Sequence, residues 1–157
     1  MSMEKATFAA GCFWGVEFKL GKVPGVTATS VGYMGGHTDK PTYQDVCTDE
    51  TGHAEVAQVE FDPARVKFET LVRKFYEIHD PTQLNRQGPD EGSQYRTAIF
   101  YHSPEQKAVA ERITAELNQA RYQGRIATQI VPAASYWPAE EYHQKYGYKH
   151  PGHHCTL

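Results

Sequence analysis

The 157-residue sequence lacks a long apolar segment, because no run approaches the roughly 18–20 residues that a transmembrane helix needs. It also lacks an excess of positive charge: 16 Lys and Arg against 19 Asp and Glu leave a net charge of −3. Nucleic-acid binders usually carry a basic face, so that class is disfavoured. No apolar segment follows the N-terminal residues MSMEK, so we expect no secretory signal. These absences predict a cytoplasmic protein that binds neither membranes nor nucleic acid.

Cysteine is scarce, with three residues, an odd number, and no CxxC spacing. This count excludes a disulfide scaffold, and the spacing argues against a structural zinc site. In a reducing cytoplasm such cysteines are either buried or chemically active. Internal repeats, low-complexity tracts and flexible linkers are also absent. We therefore predict a single domain, residues 1–157, which is long enough to fold without covalent or metal cross-links.

Hydrophobic periodicity predicts the element order β-α-β, loop, β-α, loop, β-α-β. One helix start is especially clear, because Ser103, Pro104 and Gln106 form a capping-box pattern. The order indicates an α+β two-layer sandwich of helices on a mixed sheet, with one extra helix. Strands are predicted at 6–10, 26–33, 54–61, 95–101 and 125–131, helices at 13–20, 68–76, 103–120 and 138–146, and long polar loops at 34–52 and 82–93.

The most distinctive motif is GCFWG, residues 11–15, at the predicted turn from the first strand into the first helix. The positive end of the helix dipole and the unpaired N–H groups there favour the thiolate form of Cys12. The flanking glycines allow a substrate to approach, and Phe13 and Trp14 supply apolar surface. From these residues alone, a nucleophilic Cys12 and a small buried cysteine at a strand end remain equally good interpretations.

Polar candidates lie in the strand at 54–61 and in the two long loops. Glu55 shares the more apolar face of its strand, so burial should raise its pKa and suit it to donate a proton near neutral pH. A glutamate that turns into solvent at the strand end is the alternative. Tyr43 and Tyr95 are phenols that stay protonated at pH 7 and can donate hydrogen bonds, but they are two of ten tyrosines. Asp90 is a candidate binding residue, but it could equally be a turn residue whose carboxylate bonds its own backbone.

In order and spacing, residues 5–146 resemble the peptide methionine sulfoxide reductases of the A type. The resemblance is carried by GCFWG, Tyr43, TGHAE (51–55), HDPT (79–82), Asp90 and QYR (94–96). It implies a ferredoxin-like core and reduction of methionine-S-sulfoxide, free or protein-bound. It also implies an external dithiol as reductant, thioredoxin or dithiothreitol, and no bound cofactor. The implied roles are Cys12 as nucleophile, Glu55 as proton donor, and Phe13, Trp14, Tyr43, Asp90 and Tyr95 in substrate binding.

The C-terminal tail carries one cysteine, Cys155, where many members of that family carry two for recycling. His150, His153 and His154 lie close to it and, when protonated, would stabilise its thiolate. Their spacing does not match a structural zinc site, so we expect no metal. The nine residue steps from Tyr146 to Cys155 reach about 30 Å when extended, enough to return to Cys12. Following the resemblance, we expect a mobile tail, residues 146–157, whose Cys155 forms a disulfide with Cys12.

Two other functions remain to be weighed. Cys12 could serve a hydrolase or acyltransferase with His53 as its base, although nothing in the sequence orients that imidazole toward Cys12. A non-catalytic module that binds a metal or partner through the histidine-rich tail would leave GCFWG without a purpose. The number of reductant molecules consumed per turnover separates these hypotheses. We interpret Cys47 as a structural or bystander thiol and expect a monomer.

Overall fold

A computed structural model describes residues 3–48, 50–88 and 90–144. The strands, in chain order, are β1 (Glu4–Ala10), β2 (Val26–Met34), β3 (Ala54–Phe61), β4 (Arg86–Gln87), β5 (Asp90–Glu91), β6 (Thr97–Tyr101), β7 (Gln129–Pro132) and β8 (Trp137–Pro138). The α-helices are α1 (Phe13–Gly21), α2 (Tyr43–Cys47), α3 (Phe68–Glu77) and α4 (Pro104–Leu117). A π-helical turn (Asn118–Tyr122) and two 3₁₀ turns (Ser93–Tyr95 and Glu141–His143) complete the described elements.

Six strands form one sheet in the order β7-β6-β1-β3-β2-β8, and β4 pairs with β5 in a separate hairpin. All pairs of the large sheet are antiparallel except β6 with β7, which are parallel. The four central strands, with α1 between β1 and β2 and α3 between β3 and β6, have the connectivity of a ferredoxin-like core. The predicted α+β class and mixed sheet are therefore confirmed.

The main core lies between the sheet and the helices, and strand alternation explains its composition. In β1, Phe8 points to the helices and stacks on Phe75 of α3, with ring centroids 5.2 Å apart. Ala9 points to the opposite face and joins a smaller apolar cluster with Phe100 of β6. The two-residue period of a strand thus sends neighbouring side chains into different clusters. The helix face holds the larger cluster, so it is the face that fixes α1 and the turn before it.

The long polar loops contain short elements that the sequence analysis did not predict. α2 lies within 34–52 and begins with a capping box: the Thr42 hydroxyl accepts from Asp45 N–H, and the Asp45 carboxylate accepts from Thr42 N–H, both at 3.1 Å. The hairpin of β4 and β5 lies within the predicted loop 82–93. The predicted strand 95–101 begins at Thr97, because residues 93–95 form a 3₁₀ turn.

The predicted C-terminal elements are partly wrong. The strand predicted at 125–131 begins only at Gln129. The helix predicted at 138–146 is absent from its described part, where β8 pairs with β2 and a single 3₁₀ turn follows. The cause is non-local pairing: Ala139 N–H donates to Val31 O at 2.9 Å, and the Gln144 amide bonds both N–H and C=O of Val31. The segment 137–144 is thereby docked on the edge of β2.

Candidate active site

Cys12 lies at the N-cap of α1, two residues after the end of β1. Gly11 makes the turn between the two elements with φ of +90°, a backbone conformation that costs glycine little. Cys12 is largely buried, with 8% of the residue exposed. The first residue of α1, Phe13, donates its backbone N–H to the Glu55 carboxyl Oε1 at 3.2 Å. The fold therefore brings Cys12 and Glu55 to the same helix N-terminus.

Glu55, in β3, is 2% exposed, and its Oε2 has no hydrogen-bond partner among the described residues. Burial raises its pKa to about 8; the Phe13 N–H opposes this shift, and the carboxylate of Asp90 adds to it. The predicted burial and raised pKa of Glu55 are confirmed. At neutral pH Glu55 is therefore protonated in most molecules, and its Oε2 is available to donate that proton.

Tyr43 and Tyr95 lie beside Glu55 although they come from different loops. The pKa of each phenol is raised, mainly by burial and then by the nearby Glu55 carboxyl. Both hydroxyls therefore stay protonated, and the Tyr43 hydroxyl lies within hydrogen-bonding reach of Tyr95. Asp90, at the start of β5, is half-buried, and burial raises its pKa too. The side chains of Glu55, Tyr43, Tyr95 and Asp90 are thus close enough to influence one another's pKa.

Two aromatic residues of the GCFWG motif extend the site. Phe13 is fully buried and packs against Tyr43, with ring centroids 6.3 Å apart, and against Tyr33 at 5.7 Å. Trp14 is half-buried, and its indole N–H donates to Nδ1 of His143 at 2.9 Å. In this structure Phe13 therefore supports the site from within the core, while Trp14 retains exposed apolar surface.

The segment 137–144 supplies site residues that the sequence analysis missed. Glu140 accepts from the Tyr33 hydroxyl and from the Tyr43 backbone N–H, both at 3.0 Å, and so ties α2 to β2. His143 is 1% exposed and lies among aromatic rings, with the Tyr43 ring centroid 4.4 Å away. No local pattern marks these residues, because their partners lie about 100 positions away in the sequence. Only the folded chain brings them next to Trp14 and Tyr43.

Cys47 lies at the end of α2 and is exposed, within hydrogen-bonding reach of Tyr43. The pKa of its thiol is raised, chiefly by partial burial, so the neutral thiol dominates at pH 7. Its interpretation as a structural or bystander thiol stays a prediction. Cys155 and the tail histidines lie outside the described residues.

His53 does not fit the hydrolase hypothesis. Its Nδ1 accepts from Gly36 N–H at 3.0 Å, and its Nε2 therefore carries the hydrogen that is donated to Thr38 O at 2.7 Å. Both ring nitrogens are used in holding the loop at 36–38. The imidazole therefore has no free lone pair with which to accept a proton from a nucleophile. Within the described ranges no cluster of three His, Cys, Asp or Glu side chains could hold a metal ion. None of the helices in those ranges combines the length and apolar character needed to cross a membrane.

Comparison with known proteins gives a consistent assignment. Residues 4–157 match the family model described as peptide methionine sulfoxide reductase. The chain is 58% identical to the peptide methionine sulfoxide reductase MsrA of Acidobacterium capsulatum, covering 92% of this chain and 93% of that protein. It is 57% identical to the MsrA of Methanothermobacter thermautotrophicus, covering 98% and 92%.

Solved structures agree with this result. The reduced form of Mxr1 from Saccharomyces cerevisiae superposes with a TM-score of 0.93 at 36% identity, covering 98% of this chain and 89% of that one. Methionine sulfoxide reductase A of Corynebacterium diphtheriae gives 0.87 at 42% identity, covering 98% and 77%. Mxr1 in complex with Trx2 gives 0.66 at 28% identity, covering 92% and 84%. This chain therefore belongs to the peptide methionine sulfoxide reductase family.

Proposed function

We propose that this chain reduces methionine-S-sulfoxide, free or within peptides and proteins, to methionine, with Cys12 as the nucleophile. The observation that carries the proposal is the arrangement at the start of α1. Cys12 lies at the helix N-terminus. The buried Glu55 accepts the backbone N–H of Phe13 with Oε1, and its Oε2 has no partner among the described residues. The helix dipole stabilises a thiolate, and the raised pKa keeps a proton on the acid beside it.

In the first step the Cys12 thiolate attacks the sulfoxide sulfur while Glu55 protonates the sulfoxide oxygen. Tyr43 and Tyr95 hold that oxygen by donating hydrogen bonds, since both phenols remain protonated. Asp90 borders the same group of acids. Trp14 supplies the exposed apolar side that receives the S-methyl group, and the buried Phe13 supports it from the core instead of lining the pocket as the resemblance implied. The oxygen passes to Cys12, which becomes a sulfenic acid, and two electrons pass to the substrate sulfur, which leaves as methionine.

In the second step Cys155 attacks the oxidised Cys12 sulfur, water leaves, and a Cys12–Cys155 disulfide forms. The position of the docked segment supports this assignment: His143 contacts Trp14, so the chain that leads to Cys155 starts at the site. A dithiol then reduces the disulfide by thiol exchange. The crystal structure of Mxr1 in complex with Trx2 supports thioredoxin as that dithiol.

The cycle needs no bound cofactor, because thiols supply both electrons. We place it in the cytoplasm, where reducing dithiols are available. The division of the chain into a catalytic domain and a tail at residues 146–157, and the monomeric state, stay predictions from the sequence.

The proposal is tested by incubating the protein separately with each epimer of methionine sulfoxide and dithiothreitol. We expect methionine from the S epimer alone, with one dithiol oxidised per methionine formed. A cysteine hydrolase would consume no dithiol as co-substrate. Absence of methionine from both epimers would contradict the proposal.

A further inference from the structure

His143 is an unusual residue to find fully buried in a short 3₁₀ turn close to the surface. Its Nδ1 accepts the indole N–H of Trp14 at 2.9 Å. An indole nitrogen can only donate, so Nδ1 must be unprotonated and the neutral ring must carry its hydrogen on Nε2. The geometry thus defines both the charge and the tautomer of His143.

This tautomer places a polar hydrogen where it is costly. Nε2 of His143 is buried and has no hydrogen-bond partner among the described residues. Around the ring lie Tyr142, with centroids 4.1 Å apart, Tyr43 at 4.4 Å and Phe13 at 5.3 Å. A leucine or phenylalanine would fill this aromatic space without leaving a buried donor unsatisfied. Unlike an apolar side chain, the imidazole supplies a hydrogen-bond acceptor for the Trp14 indole N–H.

We propose that His143 is a positioning residue that fixes the orientation of the Trp14 indole and thereby sets the affinity of the site for methionine sulfoxide. The inference rests on the proposed function, in which Trp14 forms part of the apolar side of the substrate pocket. In this role His143 acts through its hydrogen bond with Trp14 and takes no part in the transfer of the oxygen. Only the neutral imidazole can do this, since a protonated ring has no acceptor.

The charged surroundings of His143 determine the pH at which the bond is lost. Burial lowers its pKa, and the Glu140 carboxylate on the same segment opposes that shift. The groups that face the ring from α1 are the uncharged Phe13 and Trp14, and from α2 the protonated Tyr43. His143 is therefore neutral at pH 7 and becomes protonated only on acidification below its ordinary value.

The kinetic test compares His143→Leu, which removes the acceptor, with His143→Asn, whose side-chain oxygen can take the place of Nδ1. For His143→Leu we expect KM for methionine sulfoxide to rise about threefold to tenfold, with the single-turnover rate at saturation within about twofold of the wild type. His143→Asn should restore KM to within about twofold. Trp14→Phe removes the donor, so adding His143→Leu to it should change KM no further. An unaltered KM in His143→Leu, or an additive double variant, would overturn the inference.

A spectroscopic test uses the fact that the chain has only two tryptophans. In the conservative Trp137→Phe background, Trp14 is the sole indole, and protonation of the adjacent imidazole should quench its fluorescence. We expect a transition below pH 6.5 that disappears in Trp137→Phe/His143→Asn. A transition that persists in the Asn variant, or one that is absent from both proteins, would overturn the inference. This test requires no catalysis, so failure of the proposed function would appear separately, as lack of methionine formation by the wild type.

Discussion

Glu55 is the residue whose surroundings determine its chemistry most directly. A carboxyl at a strand end usually reaches water, but here β3 turns it toward the core and the N-terminus of α1. One oxygen is satisfied by Phe13 N–H, while the other has no partner among the described residues. Burial dominates over the helix N–H, so the pKa rises to about 8 instead of falling. The residue is thereby suited to deliver a proton at neutral pH.

Glu55→Gln should therefore slow sulfoxide reduction by about 10²–10⁴-fold, because the amide keeps the hydrogen bond to Phe13 but has no proton to transfer. Rapid-quench measurement of the first methionine formed isolates this step, and reduction of the disulfide by thioredoxin should be largely unaffected. Glu60→Gln, on the same strand and only partly buried, is the matched control. A wild-type first-turnover rate in Glu55→Gln would remove Glu55 from the proton-donor role.

The same substitution should change the pH dependence of stability. The folded-state pKa of about 8 lies above the ordinary value of 4.5, so the folded protein holds the Glu55 proton more tightly than the unfolded chain does. Wild-type stability should therefore decline as pH rises from about 4.5 to 8, by an amount on the order of a few kcal/mol. Glu55→Gln should unfold at higher denaturant concentration than the wild type at pH 9 and at a similar concentration at pH 4.5. Equal differences at both pH values would contradict the assigned pKa.

At the scale of elements, the segment 137–144 forms one side of the site by docking on β2. Gln144 carries much of this docking: its oxygen accepts from Val31 N–H at 2.9 Å, and its amide donates to Val31 O and Ala139 O at 2.8 and 2.9 Å. The side chain thus continues the backbone pairing of β8 beyond its two residues. Glu140 and His143 are held in place by the same attachment.

Gln144→Ala should release this attachment, since it removes three hydrogen bonds from a partly buried edge. We expect the free energy of unfolding to fall by about 1–3 kcal/mol and amide exchange at Val31 to accelerate. KM for methionine sulfoxide should rise because Trp14 and Tyr43 lose their partners. Gln119→Ala, at an exposed position of the π-helical turn, is the control. Unchanged exchange at Val31 would show that β8 alone holds the segment.

Some elements could be predicted because their causes are local. α4 was predicted from its cap, and the Ser103 hydroxyl does accept from Gln106 N–H at 3.2 Å; the Gln106 amide oxygen accepts from His102 N–H, one residue before the usual partner. α2 has a similar cap at Thr42 and Asp45, but its five residues carry no apolar period to indicate a helix. β8 depends on pairing with a strand about 100 positions earlier, which no local pattern predicts.

At the scale of the whole molecule, the site borders the main core, since Phe13 and Tyr33 belong to that core and Trp14 and Tyr43 pack against it. The helix face of the sheet holds the main core, as the strand and helix periodicities of the apolar residues indicated. The site forms where β1 turns into α1. Cys12 and Glu55 could be selected as candidates from their residue types and positions. Tyr43, Tyr95 and Asp90 depended on the family resemblance, since isolated phenols and carboxylates in loops carry no specific pattern. Glu140 and His143 could not be predicted because only tertiary contacts give them a role.

The recycling step gives a prediction for the whole cycle. Cys155→Ser should leave the first step intact and stop turnover with thioredoxin, because it removes the thiol that we expect to displace the oxygen from Cys12. Sustained turnover of this variant with thioredoxin would mean that Cys47 resolves the intermediate or that no resolving thiol is needed. Mass spectrometry of oxidised wild-type peptides would then identify the partner of Cys12.

The most direct measurement of the central claim is a single turnover of Cys155→Ser with excess methionine-S-sulfoxide and no small thiol. Methionine per enzyme and the mass of the Cys12 peptide, after trapping of sulfenic acid, are measured on the same sample, with Cys12→Ser/Cys155→Ser as control. We expect close to one methionine per enzyme, a trapped sulfenic acid on Cys12, and neither product in the control. Methionine formed without oxidation of Cys12, or formed by the control, would contradict the claim.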